Sequence, residues 1–166
     1  MSKRKIKTIA CLTLLVGVVL ITSIVWAKAT ESPVEGDVTI TGFIGSPVME
    51  WTDEDGIQHV RGQSFSHDVT GDTVGSGTGV INWNLNPATG DGDEFGTLAS
   101  NKTWGEISGT FQGRFSNTIT GWSVLGHTTV HGGGGFEGMK MILTLSGTFG
   151  SGVRHYDGII LDPQGE

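Results

Sequence analysis

The chain has 166 residues, of which 28 are Gly and only four Pro, with no triplet repeat, so a collagen-like assembly is excluded. Its formal net charge of −7 is unevenly divided: five of the ten basic residues fall in the first 28 positions, and all 17 acids come later. The portion after position 29 therefore carries about −12, a charge that repels phosphate backbones and anionic headgroups and argues against nucleic acid as a partner.

Lys3, Arg4, Lys5 and Lys7 form a positive flank, and Ile9 to Trp26 is mostly apolar and uncharged. Ala27-Lys28-Ala29 then supplies the small-x-small pattern that a signal peptidase pocket admits. The pattern predicts export, with cleavage after Ala29 giving a secreted product. The alternative is retention, because an apolar run of this length nearly spans a bilayer. In that case residues 9–26 anchor the chain in the membrane, the only membrane contact expected, and the domain stands outside. Cys11 lies inside the apolar run and is the sole cysteine, so disulfides and thiolate catalysis are excluded from the exported part. What remains suffices for one domain and not two.

Residues 30–36 are polar, contain Pro33, and read as a linker. From Asp37 onward apolar residues recur with period two, which predicts strands. The first are 38–44, 48–52 and 57–65, the last two joined through Asp55-Gly56, a hairpin signal. In 77–86, Gly79, Ile81, Trp83 and Leu85 oppose Thr78, Asn82 and Asn84. Asp91-Gly92-Asp93-Glu94 reads as an acidic turn. It fails as a calcium loop, since Phe95 and Lys102 occupy the fifth and twelfth places.

The clearest strand is 103–115, where Gly105, Ile107, Gly109, Phe111, Gly113 and Phe115 share a face. That alternation of Gly with large residues suits a narrow barrel interior. Strands at 118–130, 138–149 and 155–161 complete the set, with Gly132–Gly135 as a flexible turn. The reading is an all-β chain: a single antiparallel barrel of about eight strands over 37–163, preceded by the signal or anchor helix. Ile107, Phe111, Phe115, Met139, Met141, Leu143 and Leu145 are expected in its core. An inside-out membrane barrel is disfavoured, because the apolar faces are half glycine and aromatic girdles are not evident.

No cofactor and no metal site are expected. His127 and His131 would stand about 13 Å apart on a strand, too far to share an ion. Ser66-His67-Asp68 cannot be a triad, because strand neighbours point to opposite faces. Arg61, Glu106 and Arg114 lie within strands, where an inward charge must be paired or bind something. With Trp83 they are the candidate ligand-binding residues. Trp51, Trp104 and Trp122 are further aromatics able to line a site. Apolar residues expected on the outer wall, Ile142, Val80 and Val124, suggest a homo-oligomer.

The stretch GGGGFEGMKMILTLSGTF at 132–149, the preceding TITGWSVLGHTTVHG, the hairpin EWTDEDGIQHVRG and the ending YDGIILDP resemble small exported barrels of the dirigent and allene oxide cyclase-like group. The resemblance implies a barrel and an oligomer. For dirigent-like relatives it implies radical coupling steered by acidic and tyrosine side chains in the cavity, of which this chain offers one tyrosine, Tyr156.

Three functions follow. The first is a binding module holding a small apolar ligand in the barrel mouth. The second is a structural or surface-interaction protein with a filled barrel. The third is an enzyme of cyclase, isomerase or dirigent-like type. An ionisable group in a cavity favours the enzyme, an apolar cavity favours binding, and no cavity favours the structural role.

Overall fold

The computed structural model describes residues 29–102, 105–118, 121–148 and 152–163. Residues 1–28, Trp104, and the side chains of Trp122 and Val124 fall outside these, and with them the signal or anchor expectation. Nine strands follow one another: β1 (Thr30–Ile44), β2 (Met49–Thr52), β3 (Gln58–Gly71), β4 (Gly75–Leu85), β5 (Gly92–Lys102), β6 (Gly105–Thr118), β7 (Gly121–Gly134), β8 (Lys140–Thr148) and β9 (Val153–Asp162). All pairings are antiparallel. β3 to β9 run as an up-and-down meander, and β1 closes the ring by pairing β9 on one side and β3 on the other. The result is a closed eight-stranded barrel, with β2 as a short flap on β3 outside the ring. No helix occurs among the described residues.

Period two holds along most of the wall. Phe65 and Val69 of β3, Ile81 of β4, Ile107, Phe111 and Phe115 of β6, Val130 of β7, and Met141, Leu143 and Leu145 of β8 are buried inside. Of the expected core only Met139 is not fully buried. It precedes β8 in the 135–139 turn, where its N–H donates to Phe136 O. The apolar side faces inward, the arrangement of a barrel with a packed core and the reverse of a membrane barrel.

Interior glycines make room for interior rings. Phe65 and Phe111 meet edge to face at 6.2 Å, and each ring lies against a glycine of a neighbouring strand, Gly79 or Gly96. A Cβ on Gly96 would stand 2.8 Å from the Phe111 ring. Gly96→Ala should therefore destabilise the barrel by about 1–3 kcal/mol through overpacking. A urea midpoint unchanged from the parent would refute this account of the alternation.

Three expectations change. Residues 30–36 are not a linker but the first half of β1, paired from Thr30↔Asp162 to Gly36↔Tyr156. Val34 is buried, and Pro33 is tolerated because β3 reaches only to Gly36, so the other side of Pro33 has no partner strand. Asp91–Glu94 is not simply a turn, since Gly92 begins β5. The inward positions of β5 are Gly92, Glu94, Gly96, Leu98 and Ser100, which carry only one large apolar side chain and hide the period. Gly132–Gly134 belongs to β7 and not to a flexible turn. The expected total of eight included the flap β2 and omitted β5.

The two ends of the barrel differ. At the mouth lie the end of β1, the β2 flap, the 86–91 loop and the start of β9. At the base lie Thr30, the 72–74 and 135–139 turns, and Asp162.

Candidate binding cup at the barrel mouth

Val60 faces inward at the start of β3, but the pairing slips between Val60 and Gln63, where Gly62 takes φ +70°. Beyond this bulge the inward set is Gln63, Phe65, His67 and Val69. Arg61 serves the bulge from outside. Its Nη1 donates to the carbonyls of Val60 (2.8 Å) and Trp83 (2.9 Å), and its Nη2 donates to Asn84 Oδ1 (2.6 Å). Its guanidinium also lies over the rings of Trp51 (5.3 Å) and Phe95 (5.4 Å). Trp51 in turn stacks on His59, which bonds Asp53 at 2.8 Å and Asn84 at 2.7 Å. The Asp53 hydrogen bond, then that of Asn84, raises the His59 imidazole above its ordinary value. This outer stack fixes the flap to the wall.

A second slip in β1, between Ile40 and Gly42, carries Phe43 over the rim, 59% exposed, with its ring 6.3 Å from that of Trp83. Behind these rings lies a cup of about 360 Å³, walled by Ile40, Phe43, Ile81, Trp83 and Phe115. Its floor is Glu94 of β5 and Arg154 of β9. Beneath them a further cavity of about 70 Å³ occupies the barrel centre, and Ile40, Ile81, Glu94 and Arg154 line both spaces.

The floor is an ion pair almost wholly out of water. Arg154 Nη2 stands 3.6 Å from Glu94 Oε2, with side-chain exposures of 9% and 5%. That separation is longer than a hydrogen bond. Arg154 Nη1 is buried without a hydrogen-bond partner among the described residues. Burial raises the Glu94 carboxyl above its ordinary range, and the Arg154 charge pulls it partly back. In the cavity below, His67 Nε2 and Ser100 Oγ are 2.6 Å apart, and Thr128 Oγ1 is buried without a partner among the described residues.

Of the four residues singled out from the sequence, Trp83 alone lines the cup. Arg61 is outside on the bulge, Glu106 is exposed on the outer face of β6, and Arg114 lines an outer groove with Asp93. Glu94 is read from the sequence only as part of an acidic turn and His67 only in the discounted Ser66-His67-Asp68 run, and Arg154 and Ser100 are not among the candidates. Parity could have found Arg154, which shares its face of 153–162 with Tyr156, Gly158 and Ile160. His127 and His131 are both exposed on β7, and no three His, Cys, Asp or Glu side chains among the described residues gather as metal ligands. Val80 and Ile142 do face outward, but β4 and β8 stand opposite in the ring, so they form no common patch.

Comparison with protein-family models, curated proteins and solved structures finds no match to this chain. Its function must be argued from the cup itself.

Proposed function

We propose that this chain is an exported binding module that holds one small, largely apolar ligand in the barrel mouth, its polar head against the Glu94–Arg154 floor. The observation that carries this reading is an apolar cup lined by Arg154, whose Nη1 is buried with no hydrogen-bond partner among the described residues. A volume of about 360 Å³ lies within the range of small-molecule sites, roughly 300–1,000 Å³. The inner cavity of about 70 Å³ is on the scale of a few waters. A barrel filled by its own side chains, as the structural role requires, would leave neither space.

The test is calorimetric titration with 1-octanol. Saturable binding at one site is expected, weakened at least tenfold by Trp83→Ala and unchanged by Leu125→Ala on the outer wall. Absence of binding by both 1-octanol and octanoate, or indifference of the bound ligand to Trp83→Ala, would refute the module.

A second reading is favoured by one observation: the cavity system contains an ionisable acid whose proton is held unusually well. That suits a confinement-type cyclase or isomerase, or the dirigent-like chemistry implied by the resemblance at 132–149, since Glu94 and Tyr156 both line the inner cavity. Conversion of a bound ligand, abolished by Glu94→Gln, would decide for it.

Export by cleavage after Ala29 belongs to the same proposal. Sequencing the natural protein should give Thr30 first. A start at Met1 in the membrane fraction would mean the anchored form.

A further inference from the structure

The floor of the cup has a charge ledger that restricts the ligand, provided the cup binds one at all. Arg154 Nη1 is buried with no hydrogen-bond partner among the described residues, and Nη2 stands 3.6 Å from Glu94 Oε2, so the guanidinium has donor capacity left for an acceptor that reaches it. Two parallel donors match the two oxygens of a carboxylate better than a single carbonyl or hydroxyl oxygen. The pair is neutral overall when Glu94 is ionised. Adding an anion would then bury a net negative charge, at high cost in so dry a place. Adding the anion together with one proton keeps the count at one positive and one negative charge. The proton has a place to go, because the Glu94 carboxyl, lying over Gly113 of β6, is already inclined to hold one. The other titratable groups around the two spaces are His67 and Tyr156, both in the lower cavity and absent from the cup lining. Apolar walls complete the match by taking an aliphatic or aryl tail.

We propose that the cup selects small monocarboxylic acids, the ligand carboxylate seated on Arg154, and that each is bound together with one proton shared between that carboxylate and Glu94. No covalent bond changes. The charge pair passes from Glu94–Arg154 to ligand–Arg154, and Glu94 becomes the neutral donor to the ligand.

The experiment compares octanoate with 1-octanol by calorimetry on the whole protein, in two buffers of different ionisation enthalpy. Octanoate should bind at least tenfold more tightly than octanol near neutral pH, with uptake of close to one proton per ligand. Its affinity should fall about tenfold per pH unit once Glu94 is ionised in the free protein, while octanol binding stays level. Glu94→Gln supplies a permanently neutral donor, so it should abolish the proton uptake and flatten the pH dependence. Arg154→Met should lose the preference for octanoate, and the paired change Glu94→Leu with Arg154→Met serves if the single variant does not fold. Equal binding of octanol and octanoate, or octanoate binding without proton uptake, would overturn the carboxylic-acid proposal and leave the binding module standing. Failure of both ligands to bind would remove the module and this proposal with it.

Discussion

Arg154→Met should cost the protein about 3–5 kcal/mol, since it leaves Glu94 buried beside no cation. Glu94→Leu combined with Arg154→Met should restore most of that loss or exceed the parent, because two apolar side chains need no desolvation of charge. Urea denaturation of the three proteins checks this, and a paired variant as unstable as Arg154→Met would refute it. The pH dependence follows the same logic. Folding raises the Glu94 carboxyl, so the folded chain keeps a proton that the unfolded chain has already released. Glu94's contribution is therefore fully present below the ordinary carboxylate range, falls as pH rises through the raised value, and levels off above it. In Arg154→Met the decline should extend to higher pH, because the charge that pulled the carboxyl back is gone.

Tyr156→Ala should be comparably damaging, about 3–5 kcal/mol on the scale of large aromatic truncations. Tyr156 is 1% exposed and reaches from β9 across Gly36 of the closing strand to the far side of the seam. There its hydroxyl donates to Thr70 O at 3.1 Å and lies 2.9 Å from Thr73 Oγ1. Gly36 leaves the space this crossing needs, since a Cβ there would stand 2.6 Å from the hydroxyl. Tyr156→Phe keeps the ring and loses the hydrogen bonds, so about 1 kcal/mol is expected. Hydrogen exchange should locate the weakened protection at the β1–β3 pairing. If protection in Tyr156→Ala fell evenly around the ring, the seam would not be the element that Tyr156 holds.

The wall of the barrel was legible where large apolar residues alternate with polar ones, as in β4, β6 and β8. Their inner faces pack as the alternation requires. β5 was hidden because its inner face is Gly, an acid, Gly, Leu and Ser, so the side turned to the core has almost no hydrophobic signature. The cup was hidden for a related reason. Glu94 and Arg154 are 60 positions apart in sequence and meet only because β5 and β9 lie across the ring from one another. Arg61, Glu106 and Arg114 attracted notice as charges within strands, yet a strand has two faces. Each of the three is on the outer one. The bulge at Gly62 complicates Arg61 further, since it reverses inward and outward along β3.

The start of the first strand, Thr30, and the end of the last, Asp162, lie side by side at the base, and the cup opens at the opposite pole. The two strand ends and the cup thus lie at opposite poles of the barrel. A barrel held at Thr30, on a coated sensor chip for instance, would turn the cup toward the surrounding medium and leave diffusion into it unobstructed. Small solutes would reach that cup from the pole opposite the strand ends.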